Sequence, residues 1–177
     1  METLQIKDAL SVISERKSVR HYTGEPVSKE DLIKLLHAAM TAPSAMHMLP
    51  WNFVVINDRE KLKKLEEGMP FTKMLVNAGT GIVVCATPGD AALGREEFSI
   101  IDCTCASENI LLAAEALGLG AVWTAVYPEE MLMEFVRKVL DIPSYVIPLN
   151  LIPVGHPTGE DKAKNRSDPK YIHWNKW

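Results

Sequence analysis

The spacing of hydrophobic positions along the chain predicts alternating helices and strands. Apolar residues recur at helical intervals in five segments, the second of which opens with an S-x-x-D capping pattern at Ser28. Short apolar runs rich in β-branched residues, such as Phe53-Val54-Val55-Ile56, predict strands. The predicted helices span residues 4–15, 29–40, 58–68, 98–117 and 128–140. The predicted strands span residues 52–57, 81–85, 121–126 and 146–154.

The predicted helix over residues 98–117 is apolar on most of its sides. A helix of this kind is buried in a large core or in a subunit interface. Its end is marked by Gly118-Leu119-Gly120, since glycine interrupts a helix. This turn lacks the third glycine and the preceding strand of a dinucleotide fingerprint, so it does not predict a Rossmann fold.

Composition predicts one folded domain over residues 1–177, with 47% hydrophobic and 24% charged residues. The net charge of −4 gives no basic field for nucleic acid, and no apolar run approaches the ~20 residues that span a membrane. The three cysteines form no disulfide framework, and the N-terminus does not resemble a signal peptide. We therefore expect a cytoplasmic protein that binds neither nucleic acid nor membrane. No histidine spacing predicts a metal site.

Two basic clusters, one near each end of the chain, are the first candidate chemistry. They are Arg16-Lys17-Ser18-Val19-Arg20 and Lys164-Asn165-Arg166. Guanidinium groups and a hydroxyl suit phosphate oxygens, so the clusters could share one phosphate if the fold brings them together. For either cluster alone, an ordinary solvated charge run is the favoured interpretation.

Two further segments leave alternatives open. The stretch from Ala42 to Trp51 is rich in small residues and could approach a planar ligand, or it could be a packed connection between helix and strand. The tail over residues 155–177 ends in several aromatic residues, which either fold back on the subunit or dock on a partner. Docking on a partner is favoured, because exposed apolar ends usually mark an interaction.

Taken in order, these motifs resemble those of the FMN-dependent nitroreductase family, in particular its short single-domain members. The resemblance spans nearly the whole chain. Its landmarks are the basic cluster at 16–20, Pro43-Ser44 with Pro50-Trp51, Asp102 with Ala106, Leu111-Leu112-Ala113-Ala114, Gly118-Leu119-Gly120 with Trp123, Gly155-His156-Pro157, and Lys164-Asn165-Arg166.

The resemblance implies an α+β fold with a mainly antiparallel central sheet flanked by helices. It also implies an intertwined homodimer that exchanges C-terminal extensions (residues 155–177 here) and holds two FMN molecules at its interface. FMN would be bound tightly, and NADH or NADPH would be a transient electron donor. The reaction would be ping-pong hydride transfer through FMN to a small-molecule acceptor such as a nitroaromatic or a quinone, with no side chain as an essential catalytic group.

The family's binding residues can be carried over by position. Arg16, Ser18, Lys164 and Arg166 would hold the phosphate, and Lys17 would make a minor contact. Arg20 would lie near the pyrimidine edge of the flavin, and Trp123, Thr124 and Ala125 would bring backbone close to the reactive nitrogen. The residues expected from the other subunit are Pro43, Ser44, Ala45, His47 and Leu49.

Two departures from the family pattern bear on substrate preference more than on flavin binding. His47 and Leu49 stand where the family usually has Asn and Gln, and Thr124-Ala125 stands where many short members have a glycine. Two alternatives stay open. One is a family variant with other flavin chemistry, such as reductive dehalogenation or consumption of the flavin. The other is a flavin-binding module without turnover.

Overall fold

The computed structural model describes residues 7–177. Within that range the first helix begins at Ala9 rather than earlier, because the Asp8 carboxylate caps it by accepting hydrogen bonds from two N–H groups of the first turn. Residues 4–6 of the predicted helix lie outside the described residues. The helices of the described chain are α1 (Ala9–Glu15), α2 (Lys29–Met40), α3 (Arg59–Gly68), α4 (Leu75–Ala78), α5 (Glu96–Ala116) and α6 (Glu130–Leu140).

The strands form one sheet whose order is β1-β2-β5-β3, with β4 also pairing with β5. Every pair of these strands is antiparallel, so the predicted mainly antiparallel sheet is confirmed. The two central strands, β2 and β5, are buried along their whole length. The strands are β1 (Trp51–Ile56), β2 (Thr80–Ala86), β3 (Gly120–Ala121), β4 (Thr124–Ala125) and β5 (Ile147–Gly155).

The single strand predicted over residues 121–126 is wrong, because the structure divides this region into β3 and β4. Both short strands keep one register against β5, with Ala121 opposite Val154 and Thr124 opposite Leu151. That register places Pro153 opposite Val122. The Val122 N–H still donates to the Pro153 carbonyl at 3.4 Å. Proline has no N–H to return a second bond, so the regular ladder is interrupted for two residues and then resumes.

Helix α5 is the central helix and packs against α2 and β2. Its buried polar side chains are tied to neighbouring elements. Ser107 Oγ donates to the Cys103 carbonyl at 2.8 Å, and Asn150 Nδ2 on β5 donates to Ser107 Oγ at 2.8 Å. The first bond lies within α5, and the second ties the helix to the middle of the sheet.

One hydrophobic cluster runs from Val27 to Val154 and includes residues of the sheet and of helices α2 to α6. Helix α4 was not predicted, because four residues are too few to show a helical period; it ends at Gly79, whose φ of +78° suits glycine. The single domain over residues 1–177 stays a prediction. In the described residues, no helix combines the length and the apolar character needed to cross a membrane.

Candidate functional site

The first basic cluster lies in an extended segment held beside β3. Val19 is 2% exposed, and its N–H donates to the Ala121 carbonyl at 3.0 Å. Tyr22, three residues further on, donates its hydroxyl to the Val19 carbonyl at 2.8 Å. Gly120 makes this approach possible, since a Cβ there would lie 2.6 Å from Val19 Cγ1. The neighbours of Val19 in the sequence, Ser18 and Arg20, are therefore fixed at the surface.

The C-terminal tail is fastened to the same segment by Asp161. One oxygen of its carboxylate accepts from the Arg20 N–H at 2.9 Å and from the His21 N–H at 3.1 Å, and lies 3.2 Å from His21 Nδ1. Burial alone would raise the pKa of Asp161, but these hydrogen bonds outweigh it and hold the pKa below its usual value. A further hydrogen bond joins the Thr158 N–H to the His21 carbonyl at 3.0 Å.

This junction fastens the tail that carries the second basic cluster to the segment that carries the first. Lys164 follows Asp161 by three residues and Arg166 by five, so their Cα atoms lie within about 11 Å and about 18 Å of it. Both side chains are exposed and can turn toward a ligand. The second basic cluster therefore begins within a few residues of the point where the tail meets the first.

Arg16 and Lys17 face helix α5. Arg16 Nε lies 3.3 Å from Glu108 Oε1, and Lys17 Nζ lies 2.9 Å from an oxygen of Glu115. Glu115 is 7% exposed and also accepts from Lys7 at 2.7 Å. Burial opposes its ionisation, yet the two lysines lower the pKa of Glu115 overall.

The ion pair of Arg16 with Glu108 and that of Lys17 with Glu115 differ in strength. Glu108 is about half exposed, so its pair with Arg16 is weak and a phosphate can replace it. Lys17 is held by a buried carboxylate and anchors the segment to α5. Its minor contact with the cofactor stays a prediction.

A cavity of about 360 Å³ brings together four of the predicted residues. Arg20 lies at this cavity with the consecutive residues Trp123, Thr124 and Ala125. Thr124 is buried and donates its hydroxyl to the Leu151 carbonyl, which fixes β4 at the cavity wall. The cavity is lined by Arg20, Pro70, Phe71, Val122, Trp123, Thr124, Ala125, Glu129 and Leu132.

Sequence reasoning missed several of these wall residues. Pro70, Phe71, Glu129 and Leu132 belong to no motif and come from the α3–α4 turn and from the start of α6. Asp161 and Glu115 were missed as well, because a carboxylate that positions other groups carries no local signal.

The loop over residues 43–49 lies elsewhere on the chain and does not line this cavity. It is anchored to α5, since the Ala45 N–H donates to Asp102 Oδ1 at 3.0 Å. Met46, His47 and Leu49 have φ values of +54°, +57° and +55°. Residues other than glycine rarely adopt this left-handed backbone conformation. Each residue in this conformation costs about 1 kcal/mol of folding free energy. Because such strain is usually kept where it serves a function, we expect the loop to contact something outside its own subunit. Of the predicted residues here, Pro43, His47 and Leu49 are exposed, and Ser44 and Ala45 are half-buried.

Together the cavity and the basic junction suit a planar ligand that carries a phosphate. Guanidinium and ammonium groups supply the donors that phosphate oxygens need, and Trp123 and Phe71 supply apolar walls. The sequence profile of the nitroreductase family matches residues 13–69 and 69–156. The chain belongs to the nitroreductase family. The predicted resemblance is thereby confirmed.

Other members of the nitroreductase family resemble the chain along its length. A protein of Archaeoglobus fulgidus, named provisionally as an NADH dehydrogenase/NAD(P)H nitroreductase, is 42% identical over 97% of this chain and 100% of its own. The solved structure of an FMN-dependent nitroreductase from Clostridium difficile is 31% identical, with a TM-score of 0.87 over 95% of this chain and 99% of that one. An NAD(P)H-dependent FMN reductase of Bacillus subtilis is 26% identical over 91% of this chain and 70% of its own. The predicted nitroreductase-like fold is confirmed by these likenesses.

Proposed function

We propose that this nitroreductase family member is an FMN-dependent NAD(P)H oxidoreductase. Its reaction is ping-pong hydride transfer from reduced nicotinamide through FMN to a nitroaromatic, a quinone or a similar acceptor. The observation that carries the proposal is the Asp161 junction, where the tail that bears Lys164 and Arg166 is hydrogen-bonded to the backbone of Arg20, and Arg20 lines the cavity together with Trp123. Relatives named for FMN and NAD(P)H support it.

The phosphate of FMN would be held by Arg16, Ser18, Lys164 and Arg166. Arg16 is 18% exposed, so its guanidinium is partly desolvated and its interaction with a phosphate is stronger than an ordinary surface ion pair. Lys164 and Arg166 would approach from the tail, three and five residues after Asp161. The site thus needs both ends of the chain.

The flavin ring would lie in the cavity beside β4. Bound FMN supplies the redox chemistry by accepting a hydride and passing the electrons to the acceptor. Arg20 contributes a positive charge that favours the more anionic state of a bound ligand. Thr124, held by Leu151, fixes the nearby backbone, and Trp123 excludes water from one side. No side chain is assigned as an essential acid or nucleophile.

The functional unit in this proposal is a homodimer. The 43–49 loop would complete the flavin site of the second copy, which is supported by the strained, outward-facing backbone and by Met46, whose side chain is 74% exposed. The tail would dock on the partner, since Trp174 and Trp177 are 83% and 99% exposed on their own subunit. Such apolar groups are typical of an interface.

The tail of the partner would dock in a cleft beside strand β1. A cleft of about 810 Å³ there is lined by Asp90 and Asp141 but by no lysine or arginine. Apart from Lys164 and Arg166, which are assigned to the phosphate, the tail from Lys162 onward carries three lysines and one aspartate, so its remaining net positive charge is complementary to the cleft. The three free thiols of the chain support placing this dimer in the cytoplasm.

The proposal is tested by purifying the protein, recording its flavin spectrum and adding NADH or NADPH without oxygen. We expect one FMN per chain, bleaching of the flavin band, and recovery of the band when a quinone is added. A bound flavin that stays oxidised with both nucleotides supports a flavin-binding module instead. A colourless protein that takes up no added FMN contradicts the proposal.

A further inference from the structure

Two consecutive residues of α5, Asp102 and Cys103, hold the loop over residues 43–49 near its beginning and just after its end. Asp102 Oδ1 accepts a hydrogen bond from the Ala45 N–H at 3.0 Å. The Cys103 thiol donates to the Pro50 carbonyl, with the sulfur 3.7 Å from the oxygen. Because α5 packs against α2 and β2, these two bonds fasten the loop to the core of its subunit.

Between these two points the backbone of the loop adopts a conformation that its own residues do not favour. Met46, His47 and Leu49 all have a positive φ. The side chains of Met46 and Leu49 are 74% and 40% exposed, so packing compensates little of the strain. Strained backbone persists only where the surrounding structure holds it. Asp102 supplies a strong hold, since a carboxylate accepts a stronger hydrogen bond than a neutral group does.

The Asp102 carboxylate is not explained by packing alone. Asp102 is 3% exposed, and its second oxygen, Oδ2, is buried with no hydrogen-bond partner among the described residues. A buried carboxylate oxygen without a donor opposes folding. An apolar side chain would suit the core better at this position, so the value of the aspartate lies in the bond that Oδ1 makes with the loop.

We infer that Asp102 is a positioning residue that acts across the dimer. By holding Ala45, it fixes the shape in which the 43–49 loop meets the flavin ring bound by the partner subunit. Asp102 itself contacts neither the flavin nor the electron acceptor. This inference rests on the proposed function, because the loop must complete the second site. It requires that replacing Asp102 weakens FMN binding at the partner's site and leaves the site of its own subunit intact.

The first test measures flavin affinity in variants of α5. Asp102→Ala removes the hydrogen-bond acceptor, and we expect the dissociation constants of FMN and riboflavin to rise alike by about tenfold, since the loop meets the ring and not the phosphate. Asp102→Leu fills the space without an acceptor and replaces this variant if it does not fold. Asp102→Asn keeps an oxygen for the Ala45 N–H, so its affinity should return to within about threefold of the unchanged protein.

Ser107→Ala is the matched control from the same helix. Ser107 is as buried as Asp102, but its hydroxyl is bound to Asn150 on β5 and not to the loop. This variant also loses a buried polar side chain of α5, so it reports what general loosening of the helix does. We expect it to bind both flavins as the unchanged protein does.

The second test follows the shape of the loop in the flavin-free protein, by NMR of methionines labelled in the methyl group. Met46 and Met48 lie in the loop and report on its backbone. Asp102→Ala should shift the signals of both residues, whereas Ser107→Ala should leave them in place. This readout does not depend on bound FMN.

The third test uses mixed dimers to decide which site Asp102 serves. When an Asp102→Ala chain is paired with an Arg16→Ala chain, one site combines the intact Arg16 of the first chain with the intact loop of the second. We expect this dimer to bind one FMN with unchanged affinity. When both substitutions lie on one chain and the other chain is unchanged, each site carries one defect. No site of that dimer should keep full affinity.

Three results would overturn the inference while leaving the proposed function intact. The methionine signals could stay in place in Asp102→Ala. Ser107→Ala could weaken flavin binding as much as Asp102→Ala does, which would assign Asp102 to general stability. The mixed dimers could behave in reverse, which would place the effect of Asp102 in its own subunit. A protein that binds no FMN, or that binds it as a monomer, contradicts the proposed function first and removes the basis of this inference with it.

Discussion

In the proposed phosphate site, Asp161 joins the segment of the first basic cluster to the tail that carries the second. Replacing Asp161 should therefore weaken FMN binding without removing any residue that contacts the phosphate. Asp161→Ala deletes the acceptor for the N–H groups of Arg20 and His21. The tail then stays fastened through Thr158, whose N–H donates to the His21 carbonyl. Lys164 is three residues from Asp161 but six from Thr158, so its free tether doubles in length.

The expected loss of FMN affinity follows from that tether. Effective concentration falls as about the three-halves power of tether length, so doubling it lowers the contribution of the tail about 3-fold. Loss of two hydrogen bonds to a charged acceptor also loosens the backbone at Arg20. Because these N–H groups are exposed and can bind water, we expect the free energy of unfolding to fall by about 1–3 kcal/mol rather than more.

The assay is titration of FMN fluorescence against the apoprotein, with unfolding in urea measured in parallel. Asp168→Ala is the matched control, because Asp168 is a carboxylate of the same tail that pairs only locally, with Lys170 at 2.8 Å. Removing a negative charge near a phosphate should by itself favour binding, so the control should bind FMN as well as or better than the unchanged protein. The reasoning is refuted if Asp161→Ala binds FMN as Asp168→Ala does.

Three further predictions concern the same region. Hydrogen bonds lower the folded-state pKa of Asp161, so the stability that its carboxylate contributes is complete above about pH 4 and is lost as the pH falls through the folded pKa. The difference in urea stability between the unchanged protein and Asp161→Asn should therefore shrink in acid. A difference that stays constant with pH would contradict this. Arg16→Ala should raise the FMN dissociation constant at least about tenfold, and unchanged fluorescence titrations would remove Arg16 from the site. Gly120→Ala should lower stability by about 1–3 kcal/mol in urea, since its Cβ would lie 2.6 Å from Val19 Cγ1; unaltered stability would show that this contact can relax.

Most elements of the fold could be predicted from the sequence because their patterns are local. The β-branched runs gave β1 and β2 to within two residues at each end, and the Ser28 cap placed α2. The divided strand after Gly120 could not be predicted, since the cause is Pro153 on a different strand. A pairing partner distant in sequence is invisible until the register is known.

The candidate site divides in the same way. The basic residues and the Trp123 segment could be found because they stand in ordered motifs. Phe71 and Asp161 could not, since their importance depends on what the turn after α3 and the start of the tail lie against. Lys17 was expected to make only a minor contact with the cofactor, but its pairing with the buried Glu115 could not be predicted, since it depends on how the segment packs on α5.

The central claim is that residues 16–20 and 164–166 form one phosphate site beside a flavin cavity. It is tested most directly by comparing the dissociation constants of FMN and riboflavin, which differ only in the phosphate. The account predicts that FMN binds at least about a hundredfold more tightly, and that the preference largely disappears when Arg16 and Arg166 are both replaced by alanine. Equal affinities for the two flavins, or a preference that survives the double replacement, would contradict it.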